Sequence, residues 1–94
     1  MAKRSDRNQA EIVAALRARG CSVQDLHTVG KGCPDIVVGY GLGRALVRYN
    51  WLFEIKMPGA KLTGSEPEWH AAWRGQVAVI HSAEEALRIM GVIE

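Results

Sequence analysis

Ninety-four residues, 48% hydrophobic and 23% charged, make one folded domain: too short for two cores, too apolar to stay disordered. A net charge of +2, from 12 basic against 10 acidic residues, is too small to mark a nucleic-acid binder by itself. Apolar runs such as Ile36-Val37-Val38 and Val77-Ala78-Val79-Ile80 fall far short of a membrane span, and Met1 to Arg7 has no apolar stretch of the kind a secretory signal needs.

Residues 1–5 read as a basic tail, and its Lys3 and Arg4, with Arg7 just beyond, as solvated or grazing a DNA backbone. Ser5-Asp6 is a cap signal for a helix that runs to Arg19 and stops at Gly20, with Ile12, Val13 and Leu16 in one apolar stripe. Cys21 to His27 reads as a strand. Thr28 to Pro34, holding Gly30, Gly32 and a proline, reads as a loop. Asp35 to Tyr40 is a β-branched strand ended by Gly41-Leu42-Gly43, and Ala45 to Met57 is a long strand closed by Pro58-Gly59. Ser65-Glu66-Pro67-Glu68 has the form of a capping box opening a helix that Gly75 ends. Gln76 to His81 is a short buried strand, and Ser82-x-x-Glu85 opens a last helix with Leu87 and Met90 inward. The expected order is α-β-β-β-α-β-α, an α/β fold with a mixed sheet flanked by helices. Cys21 and Cys33 have neither disulfide nor metal spacing and read as free thiols of a reducing cytoplasm.

Chemistry concentrates in Gly32-Cys33-Pro34-Asp35 and Phe53-Glu54-Ile55-Lys56. Alternation in a strand puts Glu54 and Lys56 on one face, with Phe53 and Ile55 anchoring the other. If the two strands pair antiparallel, Asp35 converges on Glu54. Two converging carboxylates repel unless a cation lies between them, and the pair is a hard oxygen site suited to Mg²⁺ or Mn²⁺, to which the Ile55 carbonyl can add an oxygen. Lys56 then stands where it can orient a water and stabilise a phosphate oxygen. The plain alternative is a surface Glu54–Lys56 ion pair worth about 0–1 kcal/mol.

These residues, in this order of elements, resemble the PD-(D/E)XK nucleases, and more finely their VRR-NUC branch. The likeness rests on Gly32-Cys33-Pro34-Asp35-Ile36-Val37-Val38, Trp51-Leu52-Phe53-Glu54-Ile55-Lys56, Lys61-Leu62-Thr63, Glu68-Trp69-His70 and Gly75 to Ile80. The resemblance implies a restriction-endonuclease-like αβββαβ core and a metal-dependent endodeoxyribonuclease acting on four-way (Holliday) junctions as a homodimer. Asp35 and Glu54 would hold the metal with the Ile55 carbonyl and a first-helix glutamate, matched here by Glu11, while Lys56 serves the water. DNA contacts are expected at His27, Lys31, Gly32, Lys61 and, on an extended β-arm spanning Tyr40 to Asn50, Arg44 and Arg48. One departure stands out: where relatives carry a glutamine after the ExK strand, this chain has Glu66 and Glu68. The rival readings are a flap or single-strand nuclease with the same site, and a non-catalytic DNA-binding module.

Other residues carry less. His27, His70 and His81 lack zinc-ligand spacing. Trp69 and Trp73, four apart, read first as core packing and second as a base-stacking pair. Gly30-Lys31-Gly32 is no phosphate loop of the Walker type, because no Ser or Thr follows Lys31.

Overall fold

The computed structural model describes residues 7–94; the expected Ser5-Asp6 cap and basic tail lie outside them. The elements follow the expected order: α1 (Arg7–Ala18), β1 (Ser22–Asp25), β2 (Ile36–Leu42), β3 (Val47–Ile55), α2 (Glu66–Ala72), β4 (Val77–Ile80) and α3 (Ala83–Ile89). The strands form one open mixed sheet in the order β1-β2-β3-β4. β1–β2 and β2–β3 are antiparallel, as short connections allow, whereas β3–β4 is parallel and is reached through the α2 crossover.

Alternation along the strands decides what each face does. Ile36, Val38, Phe53, Ile55 and Ile80 are almost wholly buried and, with Ile12 and Leu16 of α1, Ala86 and Leu87 of α3 and Met90 just after it, form the core. The two terminal helices pack on each other and on this face. The other face carries Val37, Leu52 and Glu54, and the first turn of α2 comes down beside it.

Three local details differ from the expected ones. β2 does not stop at Gly41; it runs to Leu42 because Arg48 and Val47 of β3 supply its ladder partners, and the chain reverses at Gly43–Leu46, both ends at positive φ (78° and 50°). Tyr40 to Asn50 is thus an arm that projects past the pairing of β1, which ends at Gly39, and of β4, which begins at Leu52. Ser65 makes no side-chain cap. The glutamate that reaches back is Glu66, whose Oε1 accepts the Thr63 N–H at 2.8 Å, so the turn is framed two residues earlier than the Ser65–Glu68 reading placed it. At α3 the hydroxyl of Ser82 does accept the Glu85 N–H, but the Glu85 carboxylate takes the His81 N–H instead of closing the box.

Candidate active site

The register Val37↔Leu52, Ile36↔Phe53 carries one step on to place Asp35 opposite Glu54, at the end of the β2–β3 pair remote from the turn. Asp35 is held from both sides. Its carbonyl accepts the Leu26 N–H at 2.8 Å, and its Oδ2 accepts the Ile55 N–H at 2.7 Å, a charge-assisted bond across the sheet. Pro34, fully buried, and the Gly30–Cys33 turn fix the approach. Since the N–H and C=O of one strand residue point the same way, the Ile55 carbonyl also faces the Asp35 side. The Lys56 N–H turns the other way, to the Ile80 carbonyl.

Glu54 departs from its expected surface position: only 3% exposed, it is the buried charged residue of the described chain. The cause is α2, docked over the sheet where Gly32 meets it. A Cβ on Gly32, at φ +89°, would lie 2.6 Å from the Ser65 carbonyl oxygen and 3.0 Å from Trp69 Cβ. The close backbone approach for which Gly32 leaves room is therefore made by the chain itself.

Docking α2 adds Glu66 to the site. Lys56 Nζ lies 3.0 Å from Glu66 Oε1 and 3.8 Å from Glu54 Oε2, so one ammonium is shared between two carboxylates. Burial, then the negative charges of Asp35 and Glu66, push the Glu54 carboxyl up to about 8, with Lys56 pulling the other way. Burial disfavours the Lys56 charge, yet the bond to Glu66 and the surrounding carboxylates leave it raised above its ordinary value. Glu66 is lowered: burial opposes that, but the Thr63 N–H and Lys56 outweigh it. Cys33 is raised by burial and by the charges of Glu54 and Asp35 beside it, which makes it a poor nucleophile.

Two more side chains border this cluster. His70, one helical turn after Glu66, feels both Glu66 and Lys56; burial lowers its pKa, and its Nε2 is buried without a hydrogen-bond partner among the described residues. From α1, Asn8 donates weakly to the Lys56 carbonyl at 3.5 Å, while its own Oδ1 is buried with no hydrogen-bond partner among the described residues. Glu11, the first-helix carboxylate expected here, is exposed, and Asn8 is the α1 side chain seen bonding to the ExK strand. Glu66, His70 and Asn8 are not among the expected site residues, although Glu66 stands where the nucleases that the chain resembles carry their glutamine. Only Glu66 left a trace, as a second Thr-x-x-Glu frame overlapping the Ser-x-x-Glu one.

The remaining expected contacts are spread around this centre. His27 is exposed, with its N–H and Nδ1 on Asp25 Oδ1 at 2.7 and 2.9 Å. Lys31 is exposed at φ 56°, and Lys61, Arg44 and Arg48 are exposed, the two arginines on the β2–β3 arm. Trp69 and Trp73 stack at 4.7 Å, but α2 has no buried residue and Trp73 is 46% exposed, so the pair is not core.

Whether the residues suit a divalent cation can be judged from their chemistry. Glu54 Oε1 is buried with no hydrogen-bond partner among the described residues, beside a second carboxylate; such an oxygen is stabilised by a cation. The donors are hard oxygens. Among the described residues no group of three His, Cys, Asp or Glu side chains is arranged to hold a metal. A cation at this pair would therefore rest on two carboxylates and fill its remaining positions with waters or substrate phosphate oxygens, as Mg²⁺ can. A scan against protein-family models finds no match, and neither curated proteins nor solved structures give one.

Proposed function

We propose that the chain is a Mg²⁺- or Mn²⁺-dependent endodeoxyribonuclease of the kind the VRR-NUC resemblance implies, cutting four-way junctions as a homodimer. The observation that carries it is the Asp35–Glu54 pair: two carboxylates are brought together in a buried corner, one with an orphaned oxygen, and a lysine stands over them. Structural economy does not explain that arrangement, because burying Glu54 next to Asp35 destabilises the fold. Nor does DNA binding alone explain it, because the pair repels phosphate.

Asp35, Glu54 and the Ile55 carbonyl would hold the cation, which supplies positive charge to a phosphate oxygen and acidifies a water. In hydrolysis the water oxygen bonds to phosphorus, one P–O ester bond breaks, and the leaving deoxyribose oxygen gains a proton. Lys56, kept in place by Glu66, orients the water and stabilises the charge that develops on phosphate. Asp35, pinned by Ile55 and Leu26, keeps the site from rearranging when charge moves. A two-fold dimer would offer two equivalent sites to a two-fold junction. A flap or single-strand nuclease with the same residues is the second reading, favoured by the exposed Trp73 indole.

The test is incubation of labelled four-way junction, flap, duplex and single-stranded DNA with Mg²⁺, Mn²⁺ or EDTA, beside Asp35→Ala and Lys56→Ala. Paired metal-dependent cuts in the junction, absent in both variants, are expected. Cuts confined to flaps or single strands discard the junction. If no DNA is cut, yet Asp35→Ala binds it as the unaltered chain does, the protein is a binding module.

A further inference from the structure

The sheet face that bears Glu54 continues away from it as a track. β3 sets Leu52, Asn50 and Arg48 in line with Glu54, and β2 sets Val37, Gly39 and Gly41 opposite them. Val37 and Leu52 make an apolar floor next to the carboxylates. Beyond it the two glycines leave the surface low. A Cβ on Gly39 would lie 3.2 Å from Asn50 Oδ1, which puts the Asn50 amide across that glycine. Trp73, at the end of α2, borders the same groove, a space of about 500 Å³. From Glu54 to Arg48 the track runs about 20 Å along the strand.

The lining tells what it fits. It contains no acidic residue, and Arg48 makes no ion pair or hydrogen bond among the described residues. An indole, a small apolar floor, an amide lying over a glycine and a guanidinium without a partner among the described residues together suit a base with its phosphate. They suit a polyanion better than a second copy of this face, since the lining brings a cation and no acidic residue to pair with it.

We infer that this track binds one strand of nucleic acid, with a base on the Val37–Leu52 floor against Trp73 and a backbone phosphate at Arg48. In doing so it leads the strand to the Asp35–Glu54 end. Only that destination rests on the nuclease reading; binding itself does not.

The experiment is fluorescence anisotropy of a labelled twelve-residue oligothymidylate in EDTA at several salt concentrations, with circular dichroism to verify folding. Trp73→Ala weakens binding about tenfold and Trp73→Phe regains most of it, as stacking requires. Arg48→Gln weakens binding and lowers the salt dependence by about one phosphate contact. Both positions are exposed, and if Trp73→Ala fails to fold, Trp73→Phe and Arg48→Gln decide. Loss of binding in these variants supports the track even if no DNA is ever cut. Unchanged binding in both Trp73→Ala and Arg48→Gln overturns it and leaves the nuclease reading standing. Loss of self-association in Trp73→Ala, seen by sedimentation with oligonucleotide binding intact, overturns it too and gives the groove to a second copy.

Discussion

Replacing Glu54 by Gln should stabilise the metal-free protein at alkaline pH. The Glu54 carboxyl is raised from 4.5 to about 8 by burial and by Asp35 and Glu66. A raised acid binds its proton more tightly in the folded chain. The native state therefore holds more protons between these values, and stability falls as pH climbs from about 4.5 to about 8. The full gap corresponds to roughly 5 kcal/mol against the folded, ionised form, and relaxation around the site trims this to about 2–4 kcal/mol. Glu54→Gln removes the penalty while keeping the shape and adding an N–H for Asp35 to accept. At pH 9 in EDTA its melting temperature should exceed that of the unaltered protein by roughly 8–30 °C, at about 4–8 °C per kcal/mol for a domain of this size. At pH 4 the two should melt together. Differential scanning calorimetry across pH measures the difference curve. Adding Mg²⁺ at pH 9 should raise the melting temperature of the unaltered chain and not that of the variant. A difference independent of pH would refute the argument that Glu54 is buried as a strained acid.

Other outcomes follow from the same contacts. Lys56→Met strips the shared ammonium from Glu54 and Glu66 and should destabilise the fold at pH 8 by about 2–4 kcal/mol in a urea titration, with much of the loss recovered in the Lys56→Met/Glu66→Gln double variant. Gly32→Ala, whose Cβ would press on the Ser65 carbonyl at 2.6 Å, should lower stability by roughly 2–4 kcal/mol, whereas Gly30→Ala, also at positive φ but facing open space, should lower it by about 1 kcal/mol. Equal losses in denaturant melts would show that the α2 contact is unimportant. Ser82→Ala removes the cap on the Glu85 N–H and should lower stability by about 1 kcal/mol in the same assay.

The path of the chain was legible because its punctuation is local. Gly20, Pro34, Pro58-Gly59 and Gly75 interrupt β-branched or helical runs, and each break falls where an element ends or begins. The meeting of Asp35 and Glu54 was legible too, since period-two alternation and an antiparallel neighbour suffice to bring them together. The burial of Glu54 was not. It depends on α2 lying over the sheet, and α2 is located by the contact of Gly32 with Ser65, 33 positions apart. Glu66 and His70 enter the site by the same docking. Gly41 misled for the opposite reason: a glycine reads as a strand end, but the ladder with Arg48 carries β2 past it.

The bond from the Ile55 amide to Asp35 Oδ2, at 2.7 Å, has a spectroscopic consequence. A short bond to a carboxylate draws an amide proton downfield, and protonation of that carboxylate or a cation taking its oxygen weakens the pull. The Ile55 amide resonance is thus a reporter built into the backbone, one bond away from the acidic pair. Followed in a ¹H–¹⁵N spectrum, it should move upfield as Mg²⁺ is added and move again as the corner titrates, reading occupancy and protonation without substrate or label at the site.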